Sequence, residues 1–162
     1  MKKSSLLTFI NMEQNKENMM VAALENGSVI DHIPTDKLFT VAQLLQLRDC
    51  KEEVVIANNL KSNVMNKKGL LKISGKFFNE EEISQLAVIC PNIRLTVIKD
   101  YKVVEKREVL LPDTLTNIVK CANPVCITNN EPMKTVFYRK DKDTLKCRYC
   151  GKEQKLKDIK LK

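Results

Sequence analysis

The sequence has no Trp, one His, four Gly and only 5% aromatic residues. A single His, with no Gly-rich phosphate loop and no nucleophile motif, leaves no acid–base or nucleophile pair, so an enzyme is not expected. No apolar run approaches the roughly 20 residues that a membrane helix needs, which leaves a soluble protein with no membrane partner as the expectation. The opening Met1-Lys-Lys-Ser-Ser-Leu-Leu-Thr-Phe-Ile10 starts like a signal peptide. Its apolar stretch is short, and polar Asn11, Glu13 and Gln14 stand where a small-residue cleavage site belongs. Residues 1–18 therefore read as a disordered N-terminal extension of a cytoplasmic protein. Internal repeats are absent, and the only biased tract is the Lys-rich end.

What is present is charge and cysteine. The formal net charge is +8, and residues 134–162 hold eleven Lys or Arg against four acids, a local excess of +7. Such a segment suits nucleic acid, but four thiolates around one Zn²⁺ carry a net charge of −2 that nearby cations offset. A zinc-ribbon nucleic-acid-binding protein is thus the alternative reading, and no nucleic-acid partner is expected. Without an export signal the thiols stay reduced, and clustered cysteines read as metal ligands rather than disulfides.

Cys121 and Cys126 are separated by four residues, Cys126 and Cys147 by twenty, and Cys147 and Cys150 by two. Two short Cys loops joined by a longer excursion can close a tetrahedral shell around one structural Zn²⁺. Gly151 supplies the positive φ that the second turn requires. A redox pair would sit at a helix start, which nothing around Cys147 provides, and four Cys ligands leave no open position for catalysis. Cys50 and Cys90 lie outside the cluster, and Cys90 reads as a core residue.

Along the chain, residues 20–33 predict a strand interrupted by a turn at Asn26-Gly27 and ended by Pro34. Thr35 is the expected N-cap of a helix to about Arg48, with Leu38, Val41, Leu44 and Leu45 as its apolar stripe. Residues 53–60 and 70–78 read as strands on either side of a polar loop at 61–69. Asn79 and Glu82 form an expected capping box for a helix stopped by Pro91. A strand follows at 93–99, which 101–106 extends or follows, and residues 108–119 connect to the cysteine segment. The order is the split βαββαβ pattern of a ferredoxin-like sandwich, so the expected class is α+β with a small β-rich zinc-binding domain appended.

Two signatures in separate halves, Val29-Ile-Asp-His-Ile-Pro34 and the cysteine cluster that opens Cys121-Ala-Asn-Pro-Val-Cys126, resemble the regulatory chain of aspartate carbamoyltransferase. The resemblance runs from about residue 19 to residue 156. It implies an allosteric domain at 19–112 that binds CTP and ATP in competition, with UTP as an auxiliary candidate. It also implies a zinc domain at 113–162 that docks on the catalytic chain, and regulatory dimers that bridge catalytic trimers. Carried over, Asp31 faces the base or ribose region, His32 and Lys68 the phosphates, Lys106 the triphosphate, and Lys72 the ribose and the second nucleotide subsite. Val21, Leu24, Val29, Ile98, Tyr101 and Val103 line the base pocket, with Thr96 near the ligand. Asn123 and Lys152, beside the ligands in the two Cys turns, are the expected docking residues. Ala22 stands where the family pattern has an acid and Thr96 where it has Asn, which leaves nucleotide preference open.

Overall fold

The computed structural model describes residues 24–162. The expected extension at 1–18, the start of the first strand at 20–23, and Val21 and Ala22 lie outside the described residues.

Strand β1 (Gly27–Ile33) begins where Asn26 turns the chain. A Cβ on Gly27 would lie 2.2 Å from the Ile73 carbonyl oxygen at a φ of +145°, so only glycine fits this start. After Pro34 the chain closes a turn, Lys37 N–H donating to the Pro34 carbonyl at 2.9 Å. Helix α1 (Leu38–Leu44) stops short of the expected end near Arg48, and its N-cap is Lys37 rather than Thr35, with no side-chain cap hydrogen bond. Gln46, left-handed at φ 53°, breaks it, and Leu47–Asp49 continues as a 3₁₀ turn. Leu44, Leu45 and Leu47 still pack on the core, so the stripe is real while the helix carrying it is interrupted.

The supposed polar loop at 61–69 is instead mostly strand. β2 (Val54–Ser62) and β3 (Asn66–Ser74) form a hairpin whose turn is 63–65. Ser62 Oγ accepts from the Val64 and Met65 N–H groups and closes it. The residues there are polar because this end of the hairpin runs past the core into solvent. Helix α2 (Glu80–Ile89) has the expected capping box: Glu82 N–H donates to Asn79 Oδ1, and Asn79 N–H to Glu82 Oε2, both at 2.9 Å. Burial would raise the Glu82 carboxyl, but hydrogen bonds from Lys76 and the Asn79 N–H outweigh it and hold the group below its usual range. Cys90 is buried at the helix end, and desolvation pushes its thiol up to about 11. It is inert packing.

β4 (Ile93–Lys99) and β5 (Lys102–Val109) are joined by Asp100 and Tyr101, both at positive φ, the geometry of a two-residue hairpin turn. The sheet order is β2-β3-β1-β4-β5, every pair antiparallel. The ferredoxin-like arrangement is therefore present, with a fifth strand added at one edge. Leu71, Ile30 and Leu95 sit side by side in register on one face, under Leu38, Val41, Ile83 and Leu86 of the two helices.

A second antiparallel sheet follows, order β6-β7-β8-β9: β6 (Thr114–Thr116), β7 (Val136–Arg139), β8 (Thr144–Cys147) and β9 (Glu153–Lys155). One helical turn, α3 (Ile127–Asn130), lies between β6 and β7. Phe137, Leu145, Leu115 and Val119 make its core, and Val88 of α2 is buried in the same cluster. Helix α2 thus presents one face to the large sheet and Val88 to the small one. Arg139 ties the connector by donating to the Leu111 carbonyl and pairing with Asp113.

Replacing Asn79 with Ala should cost about 1 kcal/mol by removing the cap, while Asn79→Asp should keep most of it. Denaturant titration of the two variants measures the difference.

Candidate metal centre and effector face

Three local structures deliver the four sulfurs. Cys121 and Cys126 flank a loop that Asn129 staples, its Nδ2 donating to the Cys121 and Asn123 carbonyls at 2.9 and 2.8 Å. Cys126 is also the residue from which α3 starts. Cys147 ends β8, and the chain turns back on itself: Gly151 N–H donates to the Cys147 carbonyl, and Cys147 N–H to the Lys152 carbonyl. Gly151 has φ +72°, and a Cβ there would make only an ordinary contact with Lys146 Cε at 3.9 Å, so the backbone angle rather than crowding requires glycine there.

The four Sγ atoms lie within 4.8 Å of one another. Cys121 and Cys150 are 3.6 Å apart, Cys126 and Cys147 3.9 Å. A tetrahedral ion with metal–sulfur bonds of about 2.3 Å puts its sulfurs about 3.8 Å apart, so the spacing fits. Protonation behaviour fits as well. Burial pushes the Cys121 thiol up to about 12. Burial would raise Cys150 too, but the Lys152 N–H, the Asn123 amide and the neighbouring sulfurs bring it down to about 7. One thiolate is tolerated in the cluster and further ones repel it, unless a cation sits among them. Thr128 Oγ1, 3.3 Å from Cys126 Sγ, and Gln154, bridging Ala122 N–H and the Lys120 carbonyl, support the ligands from behind. Spacing alone could not reveal these two residues.

The outer face of the five-stranded sheet, away from the helices, collects most of the other expected residues. Register aligns Lys72, Val29, Thr96 and Lys106 in one row across β3, β1, β4 and β5. Leu24, Val29 and Ile98 pack together with Leu70 as an apolar floor. Asp31 lies two residues along β1, where Lys68 Nζ donates to its Oδ2 at 2.9 Å. Lys72 is only 9% exposed and has no ion-pair partner among the described residues. An ammonium buried without a counter-ion is costly.

His32 sits at a bulge in β1 with φ 61°, its Nδ1 3.3 Å from Asp31 and buried without a hydrogen-bond partner. Burial lowers its pKa; Asp31 opposes this, and Lys68 and Arg94 add to it, leaving the imidazole below its usual value. Tyr101 and Val103 are 59% and 53% exposed, so they stand at the rim rather than inside a closed pocket. Arg94, paired in register with Asp31, belongs to this face and was missed, although its alternation with Thr96 and Ile98 marks it. Asn123 is half-buried next to the metal cluster, and Lys152 is exposed in the second turn.

A family model described as "Aspartate carbamoyltransferase regulatory chain, allosteric domain" matches residues 19–110, and one described as the metal binding domain of the same chain matches 113–160. The chain belongs to the aspartate carbamoyltransferase regulatory chain family. The regulatory chain of Phocaeicola vulgatus is 55% identical over 154 residues, covering 94% of this chain and 99% of that one. That of Bacteroides thetaiotaomicron is 55% identical over 150 residues, covering 91% and 98%. That of Pyrococcus abyssi is 39% identical over 145 residues, covering 87% and 95%. As a regulatory chain it is a non-catalytic subunit that associates with a catalytic one, and its C-terminal part is metal-binding. No helix among the described residues is long and apolar enough to cross a membrane.

Exchanging Cys126 for Ser should abolish stoichiometric metal binding and melt the β6–β9 unit. Metal analysis together with far-UV circular dichroism reads both, and a metal-free variant with unchanged dichroism would contradict the assignment.

Proposed function

We propose that this chain binds CTP and ATP competitively on the outer face of its five-stranded sheet, with UTP as an auxiliary ligand. It passes the signal through a single structural Zn²⁺ domain to a catalytic trimer. The row Lys72–Val29–Thr96–Lys106, flanked by Asp31, His32 and Lys68, is the observation that carries this reading. An apolar floor ringed by cations suits a base attached to a triphosphate, whereas the opposite face is filled by helices.

Each residue then has a task. Lys106 and Lys68 hold triphosphate oxygens, Lys72 reaches the ribose, and Asp31 orients Lys68 while facing the base or ribose. Leu24, Val29 and Ile98 stack under the base, with Tyr101 and Val103 at its edge and Thr96 beside it. Cys121, Cys126, Cys147 and Cys150 hold the zinc, which neutralises the thiolates and fixes both turns. Asn123 and Lys152 project from those turns toward the catalytic chain. The allosteric unit spans 19–112 and the zinc unit 113–162, in a cytoplasmic complex where regulatory dimers bridge the trimers.

The nucleotide alters activity only as far as it binds the regulatory chain differently in the two states of the complex, a coupling of roughly 1–3 kcal/mol in typical systems. Burial of Val88 among the zinc unit's apolar residues gives that coupling a physical route from α2.

The one His in the sequence makes a direct test simple. A triphosphate placed beside His32 stabilises its charged form, so its pKa should rise on adding CTP or ATP. The imidazole Cε1–H signal of this one side chain follows it in NMR without ambiguity. Lys106→Ala should weaken nucleotide binding at least tenfold and cancel most of that rise. An unmoved His32 titration at saturating nucleotide would contradict the site. With the catalytic chain present, CTP or ATP should shift the aspartate saturation curve of the wild type and leave that of Lys106→Ala in place.

A further inference from the structure

Alternate side chains of β4 lie on the outer face of the five-stranded sheet and mark off its length. Ile98 belongs to the apolar floor, Thr96 to the row that holds Lys72 and Lys106, and Arg94 comes one step beyond. Ile98 and Arg94 are four residues apart, about 13 Å along the strand. That length holds a base, a ribose and a triphosphate laid end to end. The phosphate of a monophosphate stops near Thr96 and Lys106.

Arg94 stands in a second row across the sheet, with Asp31 beside it on β1 and Glu108 on β5. The Asp31 carboxylate is already occupied. Its Oδ2 accepts from Lys68 Nζ at 2.9 Å, and its Oδ1 accepts the His32 N–H at 2.6 Å. The ion pairs around this sheet are Lys68–Asp31, Lys76–Glu82 and those of Arg107 with Glu80 and Glu105. Arg94 is exposed and takes part in none of them among the described residues. Its charge is nonetheless felt at His32, whose pKa it helps to hold down, so the guanidinium stands at the His32 end of the face.

We propose that Arg94 is a specificity-determining residue of this face: its guanidinium takes the terminal phosphate and selects nucleoside triphosphates over di- and monophosphates. The inference rests on the reading that the outer face binds nucleotide. A terminal phosphate has three unbridged oxygens, and the planar fork of an arginine takes two of them at once. Lys106, one step nearer the floor, meets the inner phosphates and contributes to every nucleotide. Lys68 shares its charge with Asp31, so of the two cations in the second row Arg94 has the undivided charge.

The test is calorimetric titration of the full, metal-loaded chain with CTP, CDP and CMP. Arg94→Gln should weaken CTP at least tenfold and leave CDP and CMP within threefold of wild type. Arg94→Lys, which keeps the charge and loses the fork, should recover only part of that loss. Lys99→Gln removes one charge from an exposed position at the opposite end of β4, and should leave all three affinities within twofold. Equal weakening of CTP and CDP by Arg94→Gln would reveal a general electrostatic effect and overturn the proposal. Unchanged CTP affinity in that variant would overturn it as well, with the nucleotide reading intact. Binding of none of the three by the wild-type chain, with an unmoved His32 signal, would overturn the underlying reading.

Discussion

Four sulfurs pointed at one place cannot all be charged unless a cation lies between them. The C-terminal part of this molecule depends on that constraint. Its strands are three or four residues long, and the core around Phe137 and Leu145 includes three of the clustered cysteines and Val88 from α2. A unit of that size buries too little apolar surface to offset its chain entropy. Metal binding can contribute on the order of 10 kcal/mol, which is enough to make it fold. Both cysteine turns, and whatever they present to a partner, are fixed as a consequence.

The larger unit is stabilised differently. Two helices cover one face of a five-stranded sheet, and the ordinary hydrophobic core between them needs no ion. That leaves the other face free to carry lysines, an Asp and a His over an apolar floor. Helix α2 joins the two regimes, since its capped end belongs to the large unit and Val88 to the small one. Helix α2 is therefore packed into both cores, and packed cores transmit strain rather than absorb it.

How much of this was legible in the sequence depended on the range of the interaction. The capping box of α2 and the two cysteine turns are local, needing residues three to five positions apart, and both were read correctly. The 61–69 segment was misread because solvent-exposed strand ends are as polar as loops, and only the pairing of β2 with β3 distinguishes them. Thr35 lost its capping role because Pro34 and Lys37 had already closed the turn through the backbone. The alignment of Lys72, Thr96 and Lys106 spans three strands and is a matter of register, which period-two patterning alone does not set. Family resemblance supplied those residues. Arg94 is marked by its alternation with Thr96 and Ile98, whereas the supporting pair Thr128 and Gln154 emerges only from the folded structure.

Hydrogen exchange of the metal-loaded and metal-stripped chain, read strand by strand, bears most directly on this division of labour. Amides of β6–β9 should lose nearly all protection when the metal is removed, with those of β1–β5 holding theirs and α2 weakening near Val88. Uniform loss across both sheets, or full protection of β7 and β8 without metal, would contradict the account.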